Sequence, residues 1–375
     1  MKKTIILTGI TIMTLLTSCF VSALQISPIQ KPHNLICVPI EPLPPIQAPQ
    51  SRFLGIPLYW NNLSWALAFH VDDLPDPTGA HPNQPNTFVD QQWFIHQPIT
   101  MMMFSKYIHT YCPSNYVYDY HSEYGSHSWN HVFMGGANYV DTLYWFQTSM
   151  TVMNMYAPNI SLWSNKCITF SVPGGDYNPF MVDCASQTGF RVMGTNNSLN
   201  PSSDYEWMTE LLCSYLSVGS NWLTTLNAFK SNHSFADVMI HPQDTFDNNY
   251  FSFIENETSG WHCTWGEIRC YSWYRNCTSV MYLNSSDNID SYMVHMNNSD
   301  DRIWSVPVTF NFYIPHWSGL VFVDNRTINN DIGVFYPSVT QHMTQTMREG
   351  YRYNNCVLSV SALVDDNSVI RVGVA

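Results

Sequence analysis

Charge is what this sequence has least of. Asp, Glu, Lys and Arg make up 11% of its 375 residues, 15 of them basic against 28 acidic. No basic run exists anywhere, and phosphate backbones need clustered Lys and Arg, so nucleic acid is excluded as a partner. Beyond the N-terminus no stretch of eighteen apolar residues occurs, so no transmembrane span is expected. Cys-x-x-Cys pairs are absent too: Cys263, Cys270 and Cys277 recur every seven residues, which is no zinc–thiolate spacing. An apolar fraction of 45%, with 15% aromatic, excludes general disorder, and the length suffices for one large domain or two ordinary ones.

Where charge is scarce, solubility has to come from neutral polar groups or from glycans. Asn62, Asn159, Asn196, Asn232, Asn256, Asn276, Asn284, Asn297 and Asn325 each open an Asn-x-Ser/Thr sequon. The N-terminus points to the same export route. Lys2-Lys3 precede an apolar run from Thr4 to Thr17, and Val21-Ser22-Ala23 offers small residues for cleavage, so residues 1–23 read as a signal peptide of a secreted, extracellular or cell-surface protein. Leu16-Thr17-Ser18-Cys19 also resembles a lipoprotein cleavage box, which would make Cys19 a lipid anchor instead. Cleavage after Ala23 leaves a net charge of about −15 and an odd number of cysteines, for which disulfides are the default expectation in an oxidising compartment.

Residues 24–53, proline-dense from Cys37 to Gln50, read as a linker. From residue 54 to 286 short apolar runs alternate with helical stretches. Ser64–Val71, Tyr116–Tyr120, Cys167–Val172, Phe190–Met193 and Asp237–Ile240 read as strands; Phe88–Tyr111, Asn138–Met155, Pro179–Thr188 and Trp207–Leu216 read as helices. Such alternation argues for an α/β arrangement of parallel strands with functional loops at their carboxyl ends. Residues 287–375 change texture: Ile303–Ile314, Gly319–Val323, Ile332–Tyr336, Cys356–Val364 and Val369–Val374 are β-rich runs, which predict a small C-terminal antiparallel β-sandwich.

The chemistry-bearing residues sit at the ends of those strands. Asp72-Asp73 closes the first, and Gly125-Ser126-His127-Ser128-Trp129-Asn130-His131 holds two imidazoles four positions apart. On a helical turn, positions i and i+4 share a face, so His127 and His131 are expected to hold one ion there. Neutral imidazole with carboxylate suits zinc, and a catalytic site leaves a position open for water.

The order of the pieces carries a resemblance. A strand ending in Asp72-Asp73, then His127-Ser128-x-x-His131, then Pro173-Gly174-Gly175-Asp176-Tyr177-Asn178, then a strand ending in Ile240-His241, resembles the polysaccharide deacetylase family, also called NodB-like or carbohydrate esterase family 4, over roughly residues 54–247. The resemblance implies a distorted (β/α) barrel and removal of acetyl groups from N-acetylglucosamine polymers such as chitin or peptidoglycan. It implies Asp72 as catalytic base, Asp73, His127 and His131 as ligands of a divalent metal (zinc first; cobalt, manganese or nickel as alternatives), and His241 as general acid. The oxyanion donor falls at Gly174 or close to it, with Gly175 adjacent. Tyr177, Trp129 and Trp93 offer sugar-stacking faces, for which core packing is the competing reading. Two departures stand out: Ser171-Val172-Pro173 replaces the arginine with which the third motif usually begins, and no carboxylate falls at the usual place for orienting the acidic histidine, Asp204 being the nearest. The expected function is therefore a secreted, metal-dependent polysaccharide deacetylase. A degenerate relative that binds carbohydrate without cleaving it, or a surface structural glycoprotein, remains the alternative.

Overall fold

Ten residues, Trp65–Leu74, form the central strand β2, and their order decides what lies on either side of it. The structure, a computed structural model, describes residues 49–74, 98–108, 122–156, 166–175, 177–194, 222–241, 257, 259–297, 300, 305–324, 326–328 and 349–375. Successive strand side chains point to opposite faces. One face of β2 therefore carries Trp65, Leu67, Phe69 and Val71, all within one apolar cluster, and the other carries Ala66 and Ala68, in a second cluster, followed by His70 and Asp72. All eight are buried, as befits a parallel strand covered on both faces.

Parallel partners spread from β2 in the order β6-β5-β4-β3-β2-β7, with β3 at Thr100–Met103, β4 at Glu123–Ser126, β5 at Thr169–Ser171, β6 at Val192–Gly194 and β7 at Phe235–Ile240. A further strand, β8 (Gly260–Cys263), pairs with Trp65–Ala68 below the point, His70, at which β3 begins to pair. Helices α1 (Tyr139–Tyr156), α2 (Met181–Thr188) and α3 (Trp222–Ser231) cover the face of Leu67 and Phe69, contributing Phe146, Met150, Met153, Met181, Cys184 and Leu226 to its cluster. Helix α2 stops where the sequence places its stop: Gly189 adopts φ 100° and its N–H bonds back to the Ala185 and Ser186 carbonyls.

The opposite face is closed by α4 (Trp265–Cys277), whose N-cap Thr264 accepts from the Glu267 N–H. Trp265 at its start lies where four strands meet. Its backbone N–H donates to Thr100 Oγ1 on β3 (3.0 Å), its indole N–H donates to Asp237 Oδ1 on β7 (2.8 Å), its ring sits 4.3 Å from that of His70 on β2, and a Cβ on Gly194 of β6 would collide with it. Glycine is required at 194 for that close approach.

Antiparallel strands make up the remainder. One sheet has the order β1-β11-β15-β14, with β1 at Arg52–Gly55, β11 at Val308–Tyr313, β14 at Gly350–Asn354 and β15 at Val357–Ala362. The other has the order β13-β12-β16-β10-β9, with β9 at Thr278–Ser286, β10 at Ile289–Met296, β12 at Trp317–Val323, β13 at Arg326–Thr327 and β16 at Val369–Val374. Phe310, Phe312 and Val360 of the first and Tyr292, Val323 and Val372 of the second belong to one apolar cluster, which also takes in Ala66, Ala68, Trp261 and Trp265. The antiparallel part thus shares its core with the parallel sheet; its C-terminal run begins at Thr278, ahead of Asp287, and Arg52 and Phe53, read from sequence as linker, open its strand β1.

Three expectations need correction. Within Phe88–Tyr111, the described residues hold strand β3 and a 3₁₀ turn, Ser105–Tyr107, in place of a helix, because pairing with β2 and β4 on both edges outweighs local helical preference. His127 and His131 lie on a loop, as set out below. Cysteines 167, 184, 263, 270, 277 and 356 form no disulfide among the described residues; Cys270 and Cys277 share α4, and two helical turns, about 10 Å, separate them beyond disulfide reach. Tyr116–Tyr120, Trp207–Leu216, Ile332–Tyr336, Trp93 and Asp204 lie outside the described residues. Among the described residues no helix is long and apolar enough to cross a membrane.

Candidate metal centre and active site

Strict alternation would send Asp72 and Asp73 to opposite faces of β2. It is broken at Asp73, which takes a left-handed φ of 59°, where the register with β3 also slips between Val71 and Leu74. Both carboxylates consequently line one cleft of about 280 Å³ at the carboxyl ends of the parallel strands. Left-handed backbone at a non-glycine residue costs energy and tends to mark functional positions.

His127 follows β4 directly and is buried. Its N–H bonds the Met103 carbonyl (2.8 Å), and its Nδ1 lies 3.0 Å from the Ser171 carbonyl oxygen, to which it donates. That bond fixes the tautomer and leaves Nε2 as the lone-pair nitrogen, the usual state of a metal-binding histidine. No helical turn brings His131 to the same place. Ser128 and His131 both take positive φ (64° and 53°), Ser128 Oγ accepts from the Val132 N–H, and the Ser128 and Trp129 carbonyls accept from the Ser105 and Lys106 N–H groups. A pinned loop supplies the geometry that the spacing suggested for a helix.

The result is convergent. His127 Nε2 and His131 Nε2 each lie 3.3 Å from Asp73 Oδ1, and one ligand atom from each residue falls within 4.8 Å of the others. For metal–ligand bonds of about 2.0–2.1 Å, the ligand atoms of a tetrahedral site stand about 3.3–3.4 Å apart, so these residues fit a zinc-like ion. Asp73 Oδ1 is buried without a hydrogen-bond partner, which is the state of an oxygen facing a cation. Burial acts to raise the Asp73 pKa, but the proximity of His127, and then of His131 and His241, outweighs it and holds the carboxyl below its ordinary range. Burial, with the neighbouring His127, lowers the pKa of His131, which favours the neutral, ligating form.

Beside this triad Asp72, 4% exposed, accepts from Ser171 Oγ at 3.1 Å. His241, directly after β7, lines the cleft with its Nε2 4.0 Å from Asp73 Oδ2. Gly174 and Gly175 also line it, both with left-handed φ, in the 3₁₀ turn Pro173–Gly175. The Gly175 N–H is committed to the Val172 carbonyl (2.8 Å). Neither Trp129 nor Tyr177 lines the cleft; Tyr177 packs against the apolar cluster under α1. An aromatic that the sequence reading missed takes their place: Phe133, 63% exposed, stacks edge-on to His131 (4.8 Å) and would clash with any side chain at Gly174.

His70, Ser171, Gly194 and Met239 were missed as well, and all line the cleft. The signal for His70 was available. It precedes Asp72 by two residues, and on a strand that puts both side chains on one face. Its partner Asp237 belongs to another strand, so the pair becomes visible only once β2 lies against β7, where His70 Nδ1 meets Asp237 Oδ1 at 2.9 Å.

No family model matches the sequence, and no curated protein matches it. Solved structures do, at low identity. One is a putative polysaccharide deacetylase from Mycobacterium smegmatis, with a TM-score of 0.40 and 14% identity over 58% of this chain and 93% of that one. A second is the Puue allantoinase, with a TM-score of 0.44 and 9% identity over 64% of this chain and 97% of that one. A third, a family 4 acetyl xylan esterase from Clostridium thermocellum in complex with a cobalt ion, gives a TM-score of 0.32 and 13% identity over 54% of this chain and 89% of that one. The solved structures to which this chain is similar thus include polysaccharide deacetylases of carbohydrate esterase family 4.

Proposed function

We propose that the cleft is the active site of a metal-dependent hydrolase that removes N-acetyl groups from an N-acetylglucosamine-containing polysaccharide of the chitin or peptidoglycan type. The observation that carries this reading is the meeting of His127 and His131 on Asp73 in a cleft also lined by Asp72 and His241. A divalent ion held by Asp73, His127 and His131, zinc before cobalt, manganese or nickel, would supply the Lewis acidity that an acetamide carbonyl needs and would acidify water.

The chain's own residues do the rest. Asp72, oriented by Ser171, takes the proton of the attacking water. His241, as imidazolium, returns a proton to the departing amine, so acetate and the free amine leave with protons balanced. The Gly174 N–H donates to the oxyanion that develops on the former carbonyl oxygen. Phe133 offers an exposed ring beside His131 on which a sugar can stack.

Architecture and setting belong to the same proposal: a distorted (β/α) barrel with an appended β-sandwich, exported through the secretory route. The sequon asparagines Asn232, Asn276, Asn284 and Asn297 are all exposed, as glycan carriers must be. Acetate release from chitin oligomers, stopped by a chelator and restored by zinc or cobalt, is the expected result. Glycan binding by the metal-loaded protein with no acetate released would replace this reading with that of a carbohydrate binder.

A further inference from the structure

Beneath the proposed base lies a buried polar group that the reaction as described leaves unused. His70 is fully buried on the face of β2 that also carries Asp72. Four groups face it: Asp72 on its own strand, Asp237 on β7, His241 just past β7, and the Trp265 ring on α4.

The protons can be placed from the contacts. Asp237 Oδ1 accepts the Trp265 indole N–H at 2.8 Å and lies 2.9 Å from His70 Nδ1. An ionised carboxylate oxygen can only accept, so Nδ1 is the donor to it, as the indole N–H is. Nε2, the remaining ring nitrogen, lies 3.9 Å from Asp72 Oδ1, and both atoms are buried without a hydrogen-bond partner. A neutral ring would aim a lone pair at a carboxylate oxygen, with both atoms buried. Protonation of Nε2 turns that repulsion into attraction, and burial makes the difference large.

We propose, on the reading of the cleft given above, that His70 is an imidazolium held by Asp237 and Trp265 and that its charge positions the Asp72 carboxylate. Ser171 then fixes Asp72 Oδ2 by a hydrogen bond, while the His70 charge, 3.9 Å away, and His127 Nδ1, 3.5 Å away, draw on Oδ1. Electrostatics agree. Burial acts to lower the His70 pKa and His241 adds to that, but the charges of Asp237 and Asp72, with the Asp237 hydrogen bond, prevail and raise it. His70 is a positioning residue: it touches the base and has no contact with substrate in this role. It also supplies a cation beside Asp72 in a chain whose third motif has no arginine.

Side-chain ¹⁵N NMR of the zinc-loaded protein, with kinetics, tests the proposal. At pH 7.5 both His70 nitrogens should show imidazolium shifts. Asp237→Asn, which keeps an acceptor for Trp265 but removes the charge, should leave His70 neutral and lower kcat at least tenfold, with KM and bound metal within twofold. Neutral His70 in the parent protein overturns the proposal, and so does a neutral His70 in Asp237→Asn with kcat unchanged. Should Asp237→Asn not fold, His70→Gln keeps a donor without charge and should show the same loss in kcat; full kcat there overturns it equally. If the parent protein releases no acetate, the deacetylase reading fails by itself, and the nitrogen shifts still decide whether His70 carries the charge.

Discussion

The two faces of β2 are equally buried and do opposite work. Trp65, Leu67, Phe69 and Val71 present apolar surface to the helices, whereas Ala66, Ala68, His70 and Asp72 step from small to polar along the other face. The first face needs bulk alone, since burial of about 25 cal/mol per Å² rewards any well-fitting apolar group. The second is specified atom by atom. Alanines leave room for Trp261 and Trp265, Trp265 then supports the His70–Asp237 pair, and Asp72 emerges at the carboxyl end beside the triad. Stability and chemistry therefore separate by residue parity on one strand, and substitutions on the two faces should fail in different ways.

The largest contrast is expected at Asp72. Asp72→Asn preserves volume and should keep the fold and the bound metal while slowing turnover by about 10²–10⁴, the scale of a lost general base. Steady-state kinetics beside metal analysis checks this, and full activity would place the base elsewhere. Phe69→Ala, on the other face, should do the reverse. It removes a ring that is 1% exposed, so denaturant unfolding should show a loss of about 3–5 kcal/mol, with kcat unchanged in the protein that remains folded.

Glu123 extends the comparison to β4, where Tyr124 joins the apolar cluster and Glu123 faces the other way, toward α4. Burial pushes its carboxyl up to about 8, helped by the charge of Glu267 and opposed by donors from Gly266, Thr100 and Thr264. A carboxyl raised in the folded state binds its proton more tightly there than in the unfolded chain. Its contribution to stability is therefore complete below about 4.5 and is lost as pH rises through about 8. Glu123→Gln should flatten the fall in melting temperature between those limits. An unchanged slope would mean that the proton sits on another group. The smallest effect is expected at Phe133, exposed at the rim: Phe133→Ala should raise KM for oligomers about tenfold or less with kcat retained, the loss of one stacking contact.

Much of this site could be read from residue order. Asp72, Asp73, His127, His131 and His241 all line one cleft because parallel strands present their carboxyl ends together; alternating strand and helix patterns point to those ends, and it took the order of the motifs to pick out the residues. What escaped depends on relations between segments. His127 and His131 meet through a loop pinned to Ser105 and Lys106, which spacing alone does not distinguish from a helix. The choice of Phe133 over Trp129 and Tyr177 follows from where that loop turns. Strand β3 was hidden because Thr-Met-Met-Met has no alternation of polarity and owes its conformation to neighbours on both sides. The start of the C-terminal antiparallel run at Thr278 was hidden because β9 follows α4 without a break.

The account stands on Asp73, His127 and His131 forming a metal site, and zinc titration of the chelator-stripped protein by calorimetry tests that most directly. The parent protein should bind one equivalent, and His131→Ala should bind at least about 100-fold more weakly, beyond the 10- to 100-fold usual for loss of an outer partner. No binding by a folded parent protein, or equal affinity in His131→Ala, would contradict it.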